Sequence, residues 1–260
     1  MTQVNITPAW AAERPPGKMT TEQLDNDSFE ATYAVKMHCN DCTDQIKQCL
    51  LGVPGIEKLN FDLQKQIMSV QGSVAPSSVV AALAQCGRDA IIRGTGQPNS
   101  SAVSVLETQS FAKGESPVRG LVRMVQVADN NTFFDITING VASAGNYYAS
   151  VREYGDVSQG SRSTGPVWHQ FDTPIDCRRP SDLDGTLFSG SAFLRAPVNV
   201  WEMIGRSFVL STQPSAGASS DLCGVIARSA GIWENDKQVC ACSGKTVWEE
   251  RKDALQSNIR

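Results

Sequence analysis

Tyr33–Leu50 reads YAVKMHCNDCTDQIKQCL, and it places two thiols, Cys39 and Cys42, three residues apart where a hydrophobic strand gives way to a helix. The strand is Ala31 to Lys36, the helix runs from about Cys42 to Leu51, and a turn follows at Val53-Pro54-Gly55. Two more strands come next, Ile56 to Leu63 and Gln66 to Val70, the second alternating Ile67 and Ser69 against Met68 and Val70. Pro76 suits the first turn of a second helix, whose apolar face is Val79, Val80, Leu83 and Ala84 and whose stop is Cys86-Gly87. Ala90 to Arg93 adds a last strand. The order βαββαβ predicts a ferredoxin-like α+β domain over residues 29–94.

The segment RGTGQPNSS, Arg93 to Ser101, is rich in Gly, Pro and Ser, so residues 95–101 are expected to form a linker. Beyond it the texture changes to short alternating runs at 102–106, 118–127, 133–138, 147–152 and 205–210, separated by clusters such as Asp129-Asn130-Asn131 and Asn139-Gly140. These predict an all-β antiparallel sandwich or barrel over residues 102–230. Residues 231–260 are too few to bury a core. They hold Cys240-Ala241-Cys242 and then Thr246-Val247-Trp248-Glu249, a capping box opening a short helix to about Leu255, and read as a tail that orders against something else. Residues 1–28 lack an apolar segment of signal-peptide length and read as a disordered leader, within which Met19 is an alternative start.

A net charge of -4 offers no global positive field for nucleic acid or an anionic membrane, and no apolar run is long enough for a stable membrane insertion. Histidine occurs twice, at His38 and His169, so a site of three or more imidazoles is excluded. Cysteine occurs eight times without a secretory signal, a pattern expected of a cytoplasmic chain using some thiols for metal or exchange chemistry. At Cys39 and Cys42, backbone N–H groups and a helix start favour thiolate, and two soft sulfurs without a third strong ligand suit Cu(I) better than tetrahedral zinc. The spacing also fits a dithiol redox pair, half of a zinc site or a structural pair. In Cys240-Ala241-Cys242 an extended backbone turns both sulfurs to one side, where they can meet one Cu(I) ion or one incoming disulfide.

With its βαββαβ frame, Met37-His38-Cys39-Asn40-Asp41-Cys42 resembles the MxCxxC loop of the heavy-metal-associated domain, across about Glu30 to Gly94. The resemblance implies Cys39 and Cys42 as Cu(I) ligands and Met37 as a core residue beneath the loop. The segments SAVSVL, SPVRG, REYGD, STGP, MIGRSFVL and CGVIARSAG resemble, in order and rough spacing, the eight-stranded Greek-key barrel of Cu/Zn superoxide dismutase. The copper histidines of that pattern fall on Ser150 and Arg152, and two further histidines fall on Val167 and Ser211, so dismutase activity is not expected. Ser161 stands where the pattern has the thiol that pairs with Cys223, and Cys177 is the remaining candidate partner. Cys49 and Cys86 read as small core residues on helix faces.

The three parts together resemble the family of copper chaperones for superoxide dismutase. That resemblance implies Cu(I) on Cys39, Cys42, Cys240 and Cys242, and a dismutase-like domain that pairs with an immature dismutase subunit. The pairing face would include Trp201, Arg206 and Arg228, and the same face would pair two copies of this chain. Each of those three residues has a plain alternative, Trp201 as a core aromatic and the arginines as surface ion-pair partners. Cys240 and Cys242 would hand over copper and help oxidise the client's intrasubunit disulfide, in the cytoplasm and in a fraction in the mitochondrial intermembrane space. Two other readings stand beside this one: a copper buffer with no client, and an active dismutase fused to a copper-binding domain, against which the histidine count speaks.

Overall fold

The computed structural model describes residues 28–111, 113, 115–181, 185–213, 217–235 and 243–257. Residues 1–27 of the expected leader and both tail thiols, Cys240 and Cys242, lie outside the described residues.

The first unit runs β1 (Phe29–Val35), α1 (Asn40–Leu50), β2 (Ile56–Asp62), β3 (Ile67–Gly72), α2 (Pro76–Gln85) and β4 (Ala90–Thr95). Its sheet has the order β2-β3-β1-β4 and is antiparallel throughout, the ferredoxin-like arrangement that the pattern predicts. Tyr33, Val35 and Met37 from β1 and the loop after it, Ile46 and Leu50 from α1, Met68 and Val70 from β3, and Val79 and Leu83 from α2 form its core. Helix α1 begins at Asn40 with Cys39 as its N-cap, so Cys42 sits inside the first turn. Cys49 and Cys86 correct the expectation of separate core thiols. With α1 packed beside α2, their Cα atoms are 6.2 Å apart and the pair forms a disulfide joining the two helices.

The second unit comprises β5 (Ser101–Thr108), β6 (Val118–Ala128), β7 (Asn131–Val141), β8 (Gly145–Arg152), β9 (Ser158–Ser161), β10 (Val167–Gln170), β11 (Ile175–Cys177), β12 (Arg179–Pro180), β13 (Phe188–Ala196), α3 (Val200–Met203), β14 (Ser207–Ser211), β15 (Leu222–Val225) and β16 (Ala227–Arg228). The main ladder runs β10-β8-β14-β15-β5-β6-β7-β13-β12, with β11 on β8 and β16 on β5. It rolls around a core that includes Leu106, Phe134, Ile136, Tyr147, Phe171 and Phe208. The roll is dismutase-like, but its hydrogen bonds do not close a ring, which corrects the picture of a fully closed barrel. At the seam, β11 packs on β13 without a ladder: a Cβ on Gly190 would lie 2.5 Å from Asp176 O and 2.7 Å from Cys177 Sγ. Glycine is what lets β11 come this near.

The link between the units is shorter than expected, because Thr95 and Ser101 belong to strands. The chain turns through Gly96 (φ +65°) and Asn99 (φ +64°), with Gly96 N–H donating to Glu30 O at 2.8 Å. Phe29 packs against Phe133 with ring centroids 6.0 Å apart, and Phe133 stacks on Phe193, so the first unit's core continues onto β7 and β13. Asp135 of β7 then caps α2 from the other unit, accepting from Ser77 N–H at 2.8 Å and from the Ser77 hydroxyl. Its carboxylate also lies 3.6 Å from the Arg123 guanidinium, and both side chains are largely buried.

Helix α4 (Val247–Gln256) opens on the expected capping box between Thr246 and Glu249. It lies across both units: Lys36 Nζ stands 4.9 Å over the Trp248 ring, Arg251 Nε is 3.5 Å from Asp89 Oδ1, and Ser116 Oγ donates to Ser257 O at 3.0 Å. The tail helix therefore orders against the first unit beside its CxxC loop.

Candidate metal centre and docking surface

Cys39 and Cys42 emerge at the tip of the first unit, where β1 ends and α1 begins. Cys39 is exposed, Cys42 is half-buried, and their Sγ atoms are 3.7 Å apart. Met37 is fully buried under the loop and belongs to the core. Hydrogen bonds from the His38 backbone, then from the Cys39 thiol and more weakly from Arg88, hold the Cys42 thiol below its ordinary pKa. Among the described residues no group of three His, Cys, Asp or Glu side chains converges, and the donors that this loop itself presents are two sulfurs. Such a pair closes on a soft monovalent ion in a near-linear geometry and leaves the ion open to a third sulfur.

Two positioning residues escaped the sequence reading. Arg88, on the turn after α2, donates to Lys36 O at 3.4 Å and to Gln45 Oε1, and so brings a cation to the Cys42 side of the loop. Gln66, a non-glycine residue at φ +54°, accepts from Val35 N–H at 3.0 Å through its carbonyl, and its side-chain Nε2 lies 3.1 Å from His38 Nδ1. The β2–β3 turn thereby holds the residue next to Cys39. Neither residue carries a local signature, because each acts on the loop only after the chain has returned to it. Because the Cys42 pKa is lowered, its thiolate persists at lower pH than that of a free thiol, about 8.5. In Arg88→Ala, the midpoint of Cys42 alkylation by iodoacetamide should move to higher pH; an unchanged midpoint would remove Arg88 from the centre.

The four positions of the missing histidines are filled by other means. Ser150 and Arg152 lie on β8, opposite β14 through the pairs Ser150 with Val209 and Arg152 with Ser207, and Arg152 Nε donates to Ser150 Oγ at 3.1 Å. Val167 pairs with Arg152 from β10, and Ser211 ends β14. A buried cation thus occupies the ground where a metal's charge would stand. Ser161 donates to Asp221 Oδ2 at 2.6 Å in place of the bridge to Cys223, and Cys223 and Cys177 are separate buried thiols.

The predicted pairing residues sit at one corner. Trp201 is 66 % exposed on α3, which removes the core alternative. Arg206 Nε donates to Glu202 O at 2.8 Å, pairs with Glu153 at 2.9 Å and stands over the Trp168 ring, so it also holds the corner together. Ile226 exchanges backbone hydrogen bonds with Gly205 and Arg206, which carries Arg228 to the same corner; Arg228 is exposed and donates to Asn99 Oδ1 at 3.5 Å. The structure adds residues that the sequence reading did not single out. Tyr154 is 55 % and Val225 41 % exposed. They flank a close approach in which a Cβ on Gly155 would lie 2.2 Å from Gly205 O and 3.6 Å from Val225 Cγ1. Exposed apolar side chains therefore cluster around a place where two glycine backbones approach closely. An exposed aromatic in a strand-rich region was the available signal.

The heavy-metal-associated domain model matches residues 32–89. The superoxide dismutase 1 copper chaperone of Saccharomyces cerevisiae is 59% identical over 246 residues, covering 90% of this chain and 99% of that protein. The copper chaperone for superoxide dismutase of Sus scrofa is 32% identical over 247 residues, 84% of this chain and 88% of that protein. The copper(I)-loaded first domain of the human copper chaperone for SOD1 is 30% identical over 26% of this chain and 97% of that domain, with a TM-score of 0.25. With the two-thiol loop, the dismutase-like roll and a relative matched along almost its whole length, this chain belongs to the family of superoxide dismutase 1 copper chaperones.

Proposed function

We propose that this chain carries Cu(I) on the thiolates of Cys39 and Cys42 and docks an immature Cu/Zn superoxide dismutase subunit through the corner of Tyr154, Val225 and Trp201. It then delivers copper to that client and promotes the client's intrasubunit disulfide through Cys240 and Cys242. The observation that carries the reading is the exposed Cys39–Cys42 pair, 3.7 Å between sulfurs, in a chain whose near full-length relatives are named as copper chaperones. Thiolate exchange moves the ion without freeing it, because each step adds one sulfur before another leaves. For the disulfide, a tail thiol oxidised by peroxide to sulfenic acid condenses with one client thiol and releases water, and the second client thiol then displaces the tail thiol. Cys240 is assigned the mixed disulfide. Undiminished trapped adduct with Cys240→Ser would overturn that assignment.

The pairing face is self-complementary in a dismutase-like fold, so it serves a heterodimer with the client and, in its absence, a homodimer. We place the protein in the cytoplasm with a fraction in the mitochondrial intermembrane space. Cytosolic thiols tend to reduce a bond such as Cys49–Cys86, so the disulfide favours an oxidising location for part of the pool. The test mixes Cu(I)-loaded protein with reduced, copper-free dismutase under oxygen and reads complex formation, copper in the client and client disulfide. All three should appear; free protein that forms no complex would leave a copper buffer instead. Tyr154→Asp should weaken the complex about 30-fold or more, as loss of an aromatic anchor does, while Cu(I) loading stays unchanged.

A further inference from the structure

Between α2 and β4 on one side, β5, β6, β7 and β13 on another, and α4 on the third lies a cleft of about 1130 Å³. Arg88, Arg93, Arg123, Arg179, Arg228 and Arg251 line it, against one lining carboxylate, Asp89, among the described residues. This is a concentration of one sign in a chain whose net charge is -4. Three of the guanidiniums are deep and come from three separate segments. Arg93 of β4 is 8% exposed and donates to Asn235 O and Oδ1 at 2.9 and 3.1 Å. The side chains of Arg123 on β6 and Arg251 on α4 are each 15% exposed. Arg123 faces Asp135, which is already engaged by both Ser77 donors. Arg251 Nε is buried without a hydrogen-bond acceptor among the described residues, its nearest carboxylate being the half-exposed Asp89 at 3.5 Å. The positive charge of Arg251 bears directly on Arg123 and helps to lower its pKa, behind the larger effect of burial.

Each of these guanidiniums faces a carboxylate, Arg123 facing Asp135 and Arg251 facing Asp89, but the buried Arg251 Nε has no hydrogen-bond acceptor among the described residues, and an anion held between the two cations would supply one. Planar guanidinium forks match the oxygens of a phosphoryl group, and the cleft is roomy enough for such a group with a small organic substituent.

We propose that this cleft binds a phosphate-class oxyanion between Arg123 and Arg251, and that the bound anion fastens α4 to the two domains. The anion is either inorganic phosphate or the phosphoryl group of a small monoester. Both put −1 to −2 of charge against the guanidiniums, and both tie the tail helix to β6 and β4.

Calorimetric titration of the full chain with inorganic phosphate and, separately, glycerol phosphate, at constant ionic strength set with chloride, tests this. Saturable binding of at least one is expected, with amide exchange in α4 slowed in its presence. Tighter binding of the monoester assigns the site to a phosphorylated metabolite, and tighter binding of phosphate assigns it to the free ion. Arg251→Met should weaken binding about tenfold or more, as loss of one charge-assisted pair does. Arg251→Lys keeps the charge and should retain binding within about tenfold, which separates ligand loss from a folding defect. No saturable binding of either compound, or equal binding by folded Arg251→Met, would overturn the proposal and leave the arginines as an interdomain clamp alone.

Discussion

Asp135→Ala is expected to lower the unfolding free energy by about 3–5 kcal/mol, the cost of removing one partner from a buried ion pair. Asp135 is 2% exposed and joins two domains: it accepts from the Ser77 amide and the Ser77 hydroxyl, and it forms an ion pair with Arg123. Burial holds its carboxyl above the ordinary carboxylate range, and Arg123 and the Ser77 bonds work against that rise, so losing either partner shifts the group further toward its neutral form. Alanine leaves α2 without its cap and Arg123 buried without the carboxylate it faces. Asp135→Asn still accepts from Ser77 and should cost less. Because the contact joins two domains, the alanine variant should also separate their unfolding into two transitions and speed proteolysis in the Gly96–Ser100 turn. Urea unfolding followed by circular dichroism and tryptophan fluorescence reads both effects. A loss below about 1 kcal/mol with a single transition would show that Asp135 does not join the domains.

Replacing Cys39 and Cys42 together by serine should abolish the Cu(I) binding proposed for the first domain, leaving only what is proposed for Cys240 and Cys242. Replacing all four should leave none. The other four cysteines offer no substitute: Cys49 and Cys86 are bonded to each other, and Cys177 and Cys223 are buried thiols whose pKa values burial pushes up to about 12 and about 11. Hydroxyl oxygen is a hard donor and does not replace thiolate for a soft ion. Competition with a chromophoric Cu(I) chelator measures the stoichiometry. Undiminished copper in the four-serine variant, or a wild-type chain that holds only zinc, would refute the thiolate assignment. Fold should be unaffected, because the Cys39–Cys42 loop is supported by Met37 below and by Gln66 and Arg88 at its sides.

Much of the first domain was legible because its information is local. Alternation at Ile67 to Val70, Pro76 at a helix start and Gly87 after a helix each reflect the geometry of a few consecutive residues, and the strands and helices appear where those signals lie. In the second domain the long strands β5 to β8 carried the same signal. Strands such as β11, β12 and β16, two or three residues each, are too short for a period to show, and they exist because longer neighbours offer them an edge. The open seam at Gly190 was hidden for a related reason, since it depends on a strand distant in sequence.

The sequence by itself determined the chemistry available here. Two thiols at a strand-to-helix junction, two histidines in the whole chain and serine, arginine or valine at four positions where the dismutase pattern has histidine set which donors exist for a metal, and those donors are the basis of the soft-metal carrier proposed here. Those are statements about which atoms exist, and no fold can add a ligand that is missing. Only tertiary structure decided how the parts are held: Cys49 bonded to Cys86, Asp135 capping a helix of the other domain, Trp201 outside the core, and α4 laid across Lys36, Asp89 and Ser116. Each is a contact between residues far apart in the chain, whose strength comes from burial and geometry that exist only once the whole chain has packed.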